Sequence, residues 1–198
     1  MFRLRLIGFA IYLSGLILAS GCTQPYQPPK PKGWMRIDLP KKEYHTFDSL
    51  HNFSFEKPVY AVVIPDNEWV GQTDWVNMEF PAMSATLHIS YKPIEHDLRA
   101  YIDDAHTMAM KHLPKANMIR DSLIINPQSK VYGLIYEISG RGVASPLQFY
   151  LTDSVNHFMR ASLYFNFRPN NDSIEPVIRF LRADVLHMIE TFGWKKNH

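Results

Sequence analysis

Three sets of residues in this chain have types and spacings that could carry chemistry. The first is Thr152-Asp153-Ser154 followed by His157, which puts a hydroxyl, an imidazole and a carboxylate within six residues. Those are the nucleophile, base and orienting acid of an acyl-transfer triad. Triad members normally come from different loops, however, and no G-x-S-x-G elbow occurs in the chain. Asp-Ser between two strands is ordinary turn chemistry. The second set is the nine histidines. His106 and His112 stand six apart, so a helix turns them in opposite directions, whereas a helical zinc pair is four apart. His88 falls on the polar side of a strand and His157 beside a turn. With a single cysteine, a metal site would have to gather histidines and carboxylates from distant segments, and solvated histidines explain the number more simply. Asp103-Asp104 are neighbours on a helix and do not share a face, so they read as a solvated surface. The expectation is a protein that is not an enzyme, with no cofactor and no metal.

The third set is the lone thiol, Cys22. Arg3 and Arg5 precede an uncharged run of thirteen residues, Leu6 to Leu18. That is too short to span a bilayer, which takes roughly 20 residues, and suits a signal-peptide core. Ala19-Ser20-Gly21 follow, then Cys22. Small residues leading into a cysteine at the end of such a core resemble a bacterial lipobox, with Ala19 where leucine is usual. The resemblance implies a diacylglycerol thioether on Cys22, cleavage between Gly21 and Cys22, and acylation (palmitate) of the new amino terminus. Three chains at about 0.8 kcal/mol per buried methylene would anchor the protein durably. The residues after the cysteine, TQPYQPPKPKG, hold four prolines in eleven positions. They favour extended polyproline II and so a semi-rigid tether of roughly 30–35 Å. The division expected is a signal peptide over 1–21, a tether over 22–33 and a single globular domain over 34–198. Thr23 rather than aspartate follows Cys22, so the inner-membrane retention signal of lipoprotein sorting is absent. The expected place is the outer membrane of a Gram-negative envelope, facing the periplasm.

Asp-Ser-aliphatic occurs four times, at Ser49, Ser122, Ser154 and Ser173. It resembles the acceptor motif for O-glycosylation of exported proteins in the Bacteroidota. The plain alternative is that Asp-Ser caps turns and helices, above all at Ser173.

The elements that must position these residues follow from hydropathy period. Phe53 to Pro65 is one β-rich stretch. Trp75–Phe80 and Leu87–Tyr91 alternate at period two and are separated by Pro81-Ala82, which predicts a hairpin. Leu98, Tyr101, Ile102, Ala105, Met108, Ala109 and His112 recur at helical spacing, with Pro114 as a stop. Strands are expected at Met118–Ile125, Val131–Ile138, Leu147–Thr152 and Phe158–Phe167, joined by short turns as antiparallel neighbours. The second of these is apolar on both faces, as a strand covered on both sides would be. A last helix opens at Asn171-Asp172-Ser173 and buries Ile174, Val177, Leu181, Val185 and Ile189. The order is βββαββββα. The fold class is α+β: a single antiparallel sheet of about five to seven strands flanked by two long helices. That order resembles the PsbP/Mog1-like α/β/α sandwich, an analogy of fold that carries no function.

Composition excludes some partners. Apolar residues make up 46% of the chain, aromatics 13% and charged residues 20%, which is a folded chain and not a disordered one. The formal charge is +2. Without Arg3 and Arg5 it is zero, with 19 cations against 19 anions. No basic patch of the kind that displaces counterions from nucleic acid is present.

Several stretches carry a likeness to a known family: PKPKGWMRIDLPK over 29–41, FPAMSATLHISYKP over 80–93, YGLIYEISG from Tyr132, and FYLTDSVNHFMRASLYF within the run to Phe180. By these the chain is similar to the gliding motility lipoprotein GldD family of the Bacteroidota. The resemblance implies an envelope lipoprotein required for gliding and associated with type IX secretion. It supplies no catalytic residues. Partners would be other envelope proteins of those systems, with the membrane met through the lipid. Trp34, Trp69, Trp75 and Arg141 are the candidate contact residues, because interface centres favour Trp and Arg. Arg141 sits in Gly140-Arg141-Gly142, which reads as a hairpin tip. The alternative is a periplasmic carrier of an apolar or glycan ligand, which would need a closed pocket of roughly 300 Å³ or more between sheet and helix.

Overall fold

The computed structural model describes residues 37–50, 52–66 and 74–195. Gly21, Cys22, Trp34 and Trp69 lie outside the described residues. Among the described residues, ten strands and two helices follow one another: β1 (Tyr44–Phe47), β2 (Phe53–Pro58), β3 (Val62–Pro65), β4 (Val76–Phe80), β5 (Ala85–Pro93), α1 (Leu98–Met110), β6 (Met118–Asn126), β7 (Val131–Ser139), β8 (Leu147–Thr152), β9 (His157–Phe165), α2 (Asn171–Glu190) and β10 (Gly193–Trp194).

Seven strands make the main sheet in the order β3-β4-β5-β9-β8-β7-β6, with every pair antiparallel. Successive side chains of a strand point to opposite faces, so Phe149 and Tyr150 enter different cores. Phe149 joins Leu87, Met159, Ala161 and Leu163 beneath the Leu181, Val185 and Met188 stripe of α2. Tyr150 joins Tyr136, Ile138 and Phe158 beneath Ala105 and Ala109 of α1. The two helices therefore cover opposite faces. The alanines let α1 sit close to the sheet. The larger residues of α2 fill the main core, each worth roughly 1.5–3 kcal/mol when buried.

Two sheets replace the single one expected, and the strand order is correspondingly richer. Phe53–Pro65 is not one strand. A turn at Val59-Tyr60 divides it, with the Ala61 N–H donating to the Pro58 carbonyl. β3 continues to the edge of the main sheet, while β2 forms a separate three-stranded sheet, β1-β2-β10. The reason is packing. Phe53 and Phe55 face Phe192 at the end of α2, with Phe53 and Phe192 ring centroids 5.3 Å apart. β1 and β10 are four and two residues long, too short to show a period. The remaining strands and both helices stand where hydropathy placed them, within a few residues at their ends. The β4–β5 hairpin turns through a short 3₁₀ segment, Pro81–Met83, and Ser84 at φ 47°.

Candidate functional site

A half-open cleft of about 360 Å³ lies between α1 and the part of the sheet that α1 leaves uncovered. Its floor is two adjacent strands. β5 and β9 pair so that Ser90 lies opposite Arg160 and His88 opposite Ser162. The next strand places Gln148 opposite Ser162. Arg160 Nη2–H donates to Gln148 Oε1 at 2.8 Å. Burial pulls the Arg160 guanidinium below its ordinary range, opposed only by Tyr164. Tyr101 and Met108 of α1 form one wall, and Trp75 and Tyr164 line the cleft as well. Asp104 and Lys92 are exposed lining residues, the latter with its ammonium 4.8 Å from the Tyr101 ring centroid. Hydrogen bonding to Asp97 pushes the Tyr101 phenol up to about 12, helped by burial.

The Asp153-Ser154-His157 group is a turn. Asp153 Oδ1 accepts the backbone N–H groups of Val155, Asn156 and His157. Those bonds hold the Asp153 carboxyl below its usual range, although burial works the other way. Ser154 is exposed at φ 69°. His157 is buried, its Nδ1 2.8 Å from the Tyr91 hydroxyl and its ring stacked on Trp194 with centroids 5.0 Å apart. Desolvation lowers the His157 pKa against the pull of Asp153, and it lowers that of His112, aided by the charges of Arg160 and Lys115.

The other singled-out residues are dispersed. Trp75 is half-buried and donates its indole N–H to the Tyr91 carbonyl at 2.6 Å. Arg141 is exposed, and its Nε–H meets Asn170 Oδ1 at 3.3 Å. Ser49, Ser122, Ser154 and Ser173 are all exposed, in a loop, an edge strand, a turn and the first turn of α2 respectively. Ser173 does not cap α2; its hydroxyl accepts from Asn170 Nδ2. No group of three or more metal-ligating side chains converges among the described residues. None of the described helices is long and apolar enough to cross a membrane.

The family model for gliding motility lipoprotein GldD matches residues 24–194, from just after Cys22 to the end of β10. The chain belongs to the GldD family. Membership associates it with gliding motility and with lipid anchoring in the cell envelope, and the cleft and all ten strands fall within the matched GldD residues. No curated protein matches the chain. Among solved structures, the solution structure of cyanobacterial PsbP (CyanoP) from Synechocystis sp. PCC 6803 is similar at 12% identity and a TM-score of 0.45, covering 81% of this chain and 98% of that one. At that score the likeness carries no argument.

Sequence reading missed the cleft. Its signal was a pair of polar rows at period two, His88-x-Ser90 and Arg160-x-Ser162-x-Tyr164, inside strands otherwise apolar. Only pairing put the rows side by side.

The two lowered histidines make this GldD fold acid-sensitive. Their neutral forms are favoured when folded, so the unfolded chain takes up the protons first as pH falls. The stabilisation is complete above the ordinary 6.5 and is lost as pH drops through the folded values. Stability at pH 5 is expected to be lower than at pH 7.5, read from urea midpoints. His157→Gln should flatten the curve, and equal slopes in the two proteins would contradict this assignment.

Proposed function

We propose that the chain is a non-enzymatic, lipid-anchored envelope component that acts in gliding motility and type IX secretion by binding other envelope proteins, from the periplasmic side of the outer membrane. The observation that favours contact is the outer strand β6. It is nine residues long and forms one free edge of the main sheet. Leu123 is 75% exposed and Ile125 64%. Folded proteins normally blunt such edges with charge, proline or brevity, as β3 does with four residues ending at Pro65; β6 carries Arg120 and Asp121 in its first half, but its second half, Ser122–Asn126, has no charge. A shallow groove lined by Ile124, Pro127 and Ile189 adjoins the end of β6.

A photo-crosslinker at Leu123 is expected to capture envelope proteins in living cells, and one at Glu175 of α2 to capture far fewer. Leu123→Lys with Ile125→Lys should abolish gliding while shifting stability by no more than about 0.5 kcal/mol, because both side chains are already in water. Normal gliding in that variant would overturn the contact reading at β6. Cys22→Ser should move the protein from membranes to soluble extract and remove palmitate labelling.

The second reading, a carrier of an apolar or glycan ligand, calls for a closed pocket; the cleft on the α1 face has the volume but is half-open, so it supports that reading only in size and position. Its polar floor suits the glycan form of that reading better than the apolar one.

A further inference from the structure

Arg160 is set into the middle of the sheet, not on its rim. The only hydrogen bond recorded for its guanidinium, among the described residues, is the one to Gln148 Oε1, and none of the ion pairs among those residues includes it. A guanidinium has five N–H donors and no acceptor, so most of its donors remain unassigned. Because the guanidinium can only donate, it takes the Gln148 oxygen and leaves Nε2 as the free end. That Nε2 is buried and has no partner. Ser162 lines the cleft, is 3% exposed, and its Oγ also has no partner. Buried polar groups are nearly always satisfied, so an unpartnered hydroxyl lining the cleft beside an arginine with spare donors, with Gln148 Nε2 behind it, calls for an acceptor. Burial lowers the His112 pKa, and the charge of Arg160 adds to that effect. Asp66 and Asp104 also line the cleft. The exposed Asp104 carboxylate disfavours a polyanion and can accept bonds from hydroxyl groups. The aromatic walls suit a ring.

We propose that this cleft binds a small ligand bearing one oxyanion, a carboxylate or a phosphate ester on a body of about monosaccharide size, with the anionic group held by the Arg160 guanidinium and the Ser162 hydroxyl. A forked, charge-assisted contact is what arginine supplies best to such groups. The volume of 360 Å³ falls at the lower end of ligand pockets, which excludes lipids and long oligosaccharides. The proposal rests on the cleft as a ligand site, and it stands or falls apart from the β6 contact.

The test is calorimetric titration of the detergent-solubilised full chain at low ionic strength with glucuronate, with inorganic phosphate, and with glucose as the neutral control. Saturable binding of at least one anion at about 1 mM or tighter is expected, with none for glucose. Preference between the two anions identifies carboxylate or phosphate as the natural group. Arg160→Gln should weaken binding roughly 10–100-fold, and Arg160→Lys should restore part of it. Ser162→Ala, which removes only an unpartnered hydroxyl and leaves the fold intact, should weaken it roughly 2–12-fold. Absence of saturation with both anions, or affinities unchanged in both Arg160→Gln and Ser162→Ala, overturns the proposal. Leu123→Lys with Ile125→Lys should bind as wild type does, so failure of the contact reading and failure of this one are told apart.

Discussion

Asp184→Ala is expected to lower the melting temperature by on the order of 10 °C, from a loss of about 3–5 kcal/mol at roughly 2–4 °C per kcal/mol. Asp184 lies in α2 with its side chain fully buried. Three donors from the start of the chain converge on it. Lys42 Nζ reaches Oδ1 at 2.5 Å, the Tyr44 hydroxyl donates to the same oxygen at 2.8 Å, and the Tyr60 hydroxyl donates to Oδ2 at 2.7 Å. Hydrogen bonding to Asp184 and its charge join with burial to push both phenols well above their ordinary range. Removing the carboxylate strands two half-buried tyrosine hydroxyls and a cation together. The loss is limited on one side, because Lys42 also donates to the Phe180 carbonyl and lies 3.7 Å from the Phe180 ring centroid. Asp184→Asn keeps an acceptor and should lose less. A double-mutant cycle with Tyr60→Phe separates the hydroxyl share. A melting temperature within about 2 °C of wild type for Asp184→Ala would show that the cluster does not clamp β1 and the β2–β3 turn to α2.

The second large effect is at Gly133 in β7. A Cβ there would lie 1.9 Å from the Tyr150 carbonyl oxygen and 2.9 Å from its carbon. Those are backbone atoms of the adjacent strand β8, so no side chain can swing away to make room. Gly133→Ala must push β7 from β8, where Gly133 pairs with Leu151 next to one end of the ladder. Overpacking in a core typically costs about 1–3 kcal/mol. A clash with backbone should reach or exceed the top of that range, seen as a lower urea midpoint or as failure to accumulate. A variant with a wild-type midpoint would mean that the two strands are not so closely apposed.

Most of the strands and both helices were legible because each repeats its hydropathy at its own period. Leu87, Ile89 and Tyr91 recur every second residue and are buried together. Ala105 and Ala109 recur at i,i+4 and face the sheet. Reading failed at Tyr44–Phe47 and Gly193–Trp194, where too few residues exist for a period, and at Phe53–Pro65, where one apolar run serves two sheets. His157 looked like a turn histidine. It is instead enclosed by Tyr91 and Trp194, which come from distant segments.

The sequence by itself determined the α+β class, the positions of two amphipathic helices, the antiparallel run from β6 to β9 and the likeness to the GldD family. All of these are local or whole-chain properties of residue order. Tertiary structure alone decided which strands became neighbours. Pairing β5 with β9 brought His88 and Ser90 beside Arg160 and Ser162, and among the described residues left β6 with no partner on its outer side. Side-chain period fixes which way a residue faces, but strand pairing is set by which apolar faces can close over one another. The cleft and the free edge are products of that closure.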